Sequence, residues 1–294
     1  MKVILIRKKF ITYLFILFIV LLFAIYKSLE NTAAFSVQSN IDEYDFNNDG
    51  QTDKITNSNN DILINVNNKD YSLNNLCNNK LNSNSSWKKK IHIIDLSRDL
   101  SPEIIVQNGF NGKGLISIFN WQNNNFQNLS VIEANILGIY SYNNTRTPQC
   151  FTINSSIGQN SIKSFMLIDN KITDTTKKCN NILDLDSIIS FINLIEQDYE
   201  SESLPDIFTE NIQYDELVQL YHLDKENNYY SFQDAFFYDS GITNEGNIES
   251  VIWQINFEKY LIGGNDNDKK EVTFFITTTK SDENYKINSF QINT

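Results

Sequence analysis

The nine residues Asp45–Asp53 (DFNNDGQTD) carry oxygen-bearing side chains at positions one, three, five and nine: Asp45, Asn47, Asp49 and Asp53. Position six is Gly50. Such oxygens are hard ligands, and calcium takes about six to eight of them; the glycine permits the sharp turn on which the early ligands converge. The pattern returns at Asp95, Ser97, Asp99 and Glu103, with Leu100 where the glycine stood. A third copy, Ser141–Gln149, keeps the outline without a carboxylate. The competing reading is an Asn/Asp-rich turn that matches by chance. Gly50 and the recurrence favour a structural calcium loop at the first copy, with a weaker second loop at Asp95, Ser97, Asp99 and Glu103.

Other chemistry is sparse. The two histidines, His92 and His222, are far apart in sequence and suit core or helix-end positions, not a catalytic or zinc constellation. Gly109–Gly114 (GFNGKG) contains Gly-Lys, but it lacks phosphate-loop spacing and the following Ser/Thr; it reads as a hairpin tip. Asp198, Glu200, Glu202 and Asp206 could supply paired carboxylates but fit a solvated acidic segment better. Phe232, Phe236, Phe237 and Trp253 lie at strand spacing and read as core. No catalytic residue and no organic cofactor is assigned, and the chain is read as a non-enzyme.

Composition bounds location and partners. Asn makes up about one residue in seven, far from average usage, and is read as codon drift rather than low complexity. Phe10–Tyr26 is an uninterrupted apolar run preceded by Arg7, Lys8 and Lys9. That pattern predicts a signal anchor through the cytoplasmic membrane, with everything after Tyr26 outside; a cleaved signal peptide is the alternative. Beyond Tyr26 the chain has 20 cationic residues against 36 acidic ones, which argues against nucleic acid and anionic lipid as partners. Three cysteines, Cys77, Cys150 and Cys179, are too few for a disulfide scaffold; a Cys150–Cys179 bridge and two buried thiols stay open as alternatives.

The loops recur at a spacing of 50 and then 46 residues, each followed by short apolar runs such as ILINV, LISIF and KSFMLI. This periodicity predicts a repeated β-meander. Over about residues 40–178 the chain resembles the FG-GAP/VCBS repeat family of calcium-loop β-blades. The resemblance implies calcium on Asp45, Asn47, Asp49 and Asp53, with the Gln51 carbonyl as a backbone ligand. From about residue 184 the texture changes. Asp184–Tyr199 and Tyr214–Leu223 carry helical stripes, and four strand-like runs follow, of which Glu249–Tyr260 alternates most clearly. That order faintly resembles the NTF2-like superfamily.

The sequence therefore predicts an N-terminal transmembrane helix, an all-β repeat domain forming a partial propeller of three degenerate blades, and an α+β domain of two helices and a four-stranded antiparallel curved sheet. The expected boundaries are a cytoplasmic tip at 1–9, an anchor at 10–26, a linker at 27–39, the repeat domain at 40–180 and the last domain at 181–294. The expected function is calcium-stabilised binding or scaffolding at the bacterial cell surface, toward an extracellular protein or glycan. The alternatives are a subunit of an envelope or secretion assembly, or an enzyme using a cavity in the last domain.

Overall fold

The structure is a computed structural model. It describes residues 44–294 except 59, 82–86, 142–145, 179–183, 198–203, 244–246, 266–267, 282–283 and 294, and it omits the side chains of 159 and 160. The described residues belong to one compact unit, Glu43–Thr294.

Three antiparallel meanders come first. Strands β1 (Lys54–Asn57), β2 (Ile62–Val66) and β3 (Lys69–Ser72) form a three-stranded sheet. A one-turn helix, α1 (Leu73–Leu76), follows, and the Ser72 side chain caps it by accepting from Asn75 N. Strands β4 (Lys90–Ile94), β5 (Glu103–Phe110), β6 (Lys113–Gln122) and β7 (Asn125–Glu133) form a four-stranded sheet. Strands β8 (Ile136–Tyr140), β9 (Gln149–Ile153), β10 (Lys163–Ile168) and β11 (Lys171–Asp174) are the third meander.

Asparagine makes the hairpins tight. Asn67-Asn68, Asn111-Gly112, Asn123-Asn124 and Asp169-Asn170 are two-residue connections, and all eight residues have positive φ. Positive φ at both central positions is the type I′ turn, whose twist matches that of the flanking strands. Asn and Asp tolerate this region because their short polar side chains hydrogen-bond locally. Nine of the fourteen described non-glycine residues at positive φ are Asn, so the Asn bias has a structural use beyond codon drift.

Helices α2 (Asp186–Glu196) and α3 (Tyr214–Tyr221) precede four long strands, β12 (Asn228–Ile242), β13 (Ile248–Leu261), β14 (Lys270–Ser281) and β15 (Asn284–Asn293). These strands do not form a sheet of their own. β12 pairs in parallel with β8 from Ala235↔Ile136 to Tyr238↔Ile139, giving one eight-stranded sheet in the order β11-β10-β9-β8-β12-β13-β14-β15. The junction is tight, since a Cβ at Gly138 would lie 1.8 Å from Phe237 Cζ.

Two cores use the two faces of this sheet. On one face α2 buries Ile188, Phe191, Ile192 and Ile195. Phe191 meets Phe274 at 5.4 Å and Phe290 at 5.9 Å between ring centroids. On the other, Leu137, Ile139, Cys150 and Phe236 pack with Ile105, Ile116 and Ile118 of the four-stranded sheet. The three-stranded sheet and the segment ahead of it reach β6 and β7 through aromatic edges, Tyr71–Trp121 at 5.2 Å and Phe46–Phe126 at 5.6 Å.

This architecture corrects the expected fold class. The described chain is predominantly β-sheet with short helices, and none of its helices is long and apolar enough to cross a membrane. The anticipated anchor, Phe10–Tyr26, lies outside the described residues. The third meander does not complete a partial propeller, because the edge of β8 is taken by β12. The expected boundary at 180/181 falls inside one sheet and one core: Ile136, Tyr140, Phe151 and Ile153 share a cluster with Phe237, Trp253 and Phe274. Cys77 and Cys150 are buried free thiols, and Cys179 lies outside the described residues.

Candidate metal loops and a buried polar seam

Loop one is a hairpin connection closed by its own oxygens. Tyr44 and Asp53 form an antiparallel bridge at its neck. The Asp45 carboxylate accepts from Asp49 N at 3.1 Å through Oδ1 and from Gly50 N at 2.8 Å through Oδ2. Asp49 Oδ1 accepts from Gln51 N at 2.8 Å, and Asp53 Oδ2 accepts from Phe46 N at 2.8 Å. Asn47 Nδ2 and Asn67 Nδ2, the latter from the β2–β3 turn, donate to Asp49 Oδ2 at 2.7 and 2.8 Å. Burial raises the Asp53 pKa, and the nearby charges of Asp45 and Asp49 add to the rise. The hydrogen bonds from Asn47, Asn67 and Gln51 hold Asp49 below its usual range.

Loop two repeats the backbone N–H part of this skeleton. Ile94 pairs with Glu103 at the neck. Asp95 Oδ1 accepts from Asp99 N and Oδ2 from Leu100 N, both at 3.1 Å. Asp99 Oδ1 accepts from Ser101 N at 2.9 Å, and Glu103 Oε2 from Leu96 N at 2.6 Å. The second residues, Phe46 and Leu96, are both fully buried. Positive φ falls at the fourth and sixth residues of each: Asn48 and Gly50 in loop one, Arg98 and Leu100 in loop two. Burial pushes Glu103 up to about 7, and the charge of Asp99 contributes.

Leu100 thus holds the conformation that the glycine serves in loop one, with φ of 75° against 83°. A left-handed conformation costs a β-carbon residue about 1–2 kcal/mol. The side chain is 74% exposed and so offsets little of that by packing. Leu100→Gly is therefore expected to stabilise the protein by about 1 kcal/mol, read as a higher urea midpoint at unchanged slope. A lowered midpoint would show that Leu100 contributes more than its strain.

The two loops carry along single turns the oxygens that the sequence singled out. Their carboxylates are engaged mainly with backbone N–H groups, and among the described residues no cluster of three or more His, Cys, Asp or Glu side chains converges as a metal site. In the third copy, residues 142–145 are outside the described set; Gln149 Nε2 donates to Thr175 Oγ1, just past β11, at 3.1 Å. Asp198, Glu200 and Glu202 are also outside it, and Asp206 pairs with Lys286 at 2.7 Å. A groove of about 260 Å³ lies at the end of α2, beside Glu196 and Lys225. There Glu196 Oε1 accepts from Phe232 N of β12 at 2.7 Å, tying α2 to that strand, and Lys225 Nζ donates to Leu194 O at 2.7 Å and also to Gln197 O, closing the helix end.

Sequence reasoning missed a polar seam between the four-stranded and eight-stranded sheets. Asp234 is 2% exposed and accepts from Trp87 Nε1 at 2.5 Å and Asn256 Nδ2 at 2.6 Å. Thr273 donates onward to Asn256 Oδ1 at 2.8 Å. Lys90 pairs with Glu271, which Lys88 also reaches at 3.2 Å. Burial lowers the Lys90 pKa and raises that of Asp234. His92 Nε2 bonds Gln107 Oε1 at 2.8 Å, its ring stacks on Phe236 at 4.2 Å, and Gln107 Nε2 donates to Ala235 O at 3.1 Å. A lone Asp inside an aromatic strand run (SFQDAFFY) was the available signal, because an unpaired charge there would be prohibitive.

No family model matches the chain, and no curated protein matches it. The FG-GAP/VCBS resemblance of the loops thus has no family match behind it. Among solved structures the chain is similar to an Ntf2-like protein involved in plasmid conjugation, at 8% identity and a TM-score of 0.26, over 75% of this chain and 82% of that one. The NTF2-like likeness is weak, and at that score it carries neither fold nor function over to this chain.

Proposed function

We propose that this chain is an extracytoplasmic binding or scaffolding protein whose β-meanders are stabilised by calcium. The observation that supports this reading is the hydrogen-bond skeleton shared by the two oxygen loops. Each shapes a turn with oxygen-bearing side chains at positions one, three, five and nine, hard ligands of the kind calcium takes. Asp45, Asn47, Asp49, Asp53 and the Gln51 carbonyl are the proposed ligands, with Asp95, Ser97, Asp99 and Glu103 as a weaker set. The cationic Arg7–Lys9 ahead of the apolar run, and the acidic chain after it, support the location. No reaction is proposed.

The test is thermal unfolding of the full chain in mild detergent, with calcium and with chelator. A cation that binds only the folded state stabilises by mass action, about 2.7 kcal/mol at a hundredfold excess over Kd. Calcium is expected to raise the wild-type Tm, and Asp49→Ala is expected to abolish the rise. Identical wild-type melting in both conditions would sink the proposal.

A further inference from the structure

β15 is the terminal strand of the eight-stranded sheet. Part of its outer edge is taken. Ile287 N donates to Ile207 O at 2.7 Å, and Thr209 N donates to Ile287 O at 2.9 Å. Beyond that bridge, no described element pairs with the edge. A bulge opposite Thr277/Thr278 separates the covered part from Ser289–Asn293. Edges are normally guarded by charge, proline or cover, because their open N–H and C=O groups recruit another strand. Asn288–Asn293 (NSFQIN) has neither charge nor proline.

We infer that the outer edge of β15 pairs antiparallel with β15 of a second copy of this chain, joining two eight-stranded sheets. The strand is self-complementary. Phe290 and Ile292 belong to the helix-side core, while Ser289, Gln291 and Asn293 stand opposite Thr277, Phe275 and Thr273 on the other face. A two-fold axis at Gln291 sets Phe290 against Ile292 of the second copy, Ser289 against Asn293, and Gln291 against itself. Aromatic–aliphatic and amide–hydroxyl pairs are both favourable across strands. Charge selects the same strip. The chain carries a formal net charge of -12, which sets copies against one another, and this edge brings them together with no like charges opposed.

The full chain in mild detergent is tested by sedimentation and by cross-linking. In the proposed pairing the two residue-291 Cβ atoms lie about 4.5–5.5 Å apart, so a modest shift allows a disulfide. Gln291→Cys is expected to give a covalent dimer under mild oxidation. Wild type and Asn284→Cys, at the far end of β15, are expected to stay uncross-linked. Gln291 is exposed, so Gln291→Lys should keep the fold, checked by circular dichroism, while placing two like charges in contact; it is expected to weaken association at least tenfold. A wild-type monomer at every concentration would overturn the inference. So would a dimer that Gln291→Lys leaves intact, since association would then run through another surface.

Discussion

A fragment comprising residues 181–294 is expected not to fold, although it contains both longer helices and four complete strands. Its central strand β12 loses β8, which pairs with it from Ala235 to Tyr238. The loss reaches both cores. On the helix side, Phe237 is deprived of Tyr140 at 5.8 Å and Phe151 at 6.2 Å, and Ile136 and Ile153 leave the same cluster. On the other side, Phe236 loses Leu137, Ile139 and its His92 stack. Each large side chain returned to water forfeits about 1.5–3 kcal/mol, and a typical domain has only about 5–15 kcal/mol in hand. Asp234 also loses its Trp87 donor and the cover of the four-stranded sheet, so the seam face of β12 is opened to water. The expected readings are poor amide dispersion and a broad, non-cooperative melt. Cooperative unfolding with dispersed signals would restore the two-domain division at 180/181.

Replacing His92 is expected to remove a large acid sensitivity from the protein. The ring is 6% exposed, and burial lowers its pKa to about 4, with the Lys90 charge adding and the Gln107 hydrogen bond opposing. The folded-state value lies below the unfolded one, so on acidification the unfolded chain takes up the proton first. Stability assigned to His92 is thus full above about pH 6.5 and is lost as pH falls toward 4, amounting to about 2.5 kcal/mol by pH 4.5. Glu103 and Asp234 act with opposite sign. Their raised values favour the folded state in the protonated form, so their contribution grows as pH falls, for Glu103 between about 7 and 4.5. His92→Gln retains a donor for Gln107 but cannot titrate. Urea unfolding at pH 7 and 4.5 is expected to show the variant gaining about 2.5 kcal/mol relative to wild type on acidification. Equal changes in the two proteins would mean that His92 is protonated in the folded state.

The features legible in the sequence are those whose physical causes act over a few residues. The spacing of Asp45, Asn47, Asp49 and Asp53 was enough to mark a closed oxygen loop, because each acceptor reaches a backbone N–H at most seven positions away. The same spacing identified its repeat at Asp95–Glu103, where the side-chain acceptors impose the turn even on Leu100. Alternation marked β13, and the apolar stripe marked α2, since both depend on side-chain period alone. What the tertiary structure decided is which edges meet. Nothing in the alternation of β8 or β12 names the other as its partner, because many apolar strands of similar length could satisfy the same backbone groups. The choice depends on fits between distant residues, such as the Phe237 ring over Gly138, the Trp87 indole on Asp234 across 147 positions, and His92 stacked on Phe236. The first contact merges the third meander with the last four strands, and the other two tie the four-stranded sheet to β12 and place the buried charges in a seam that no local pattern reveals.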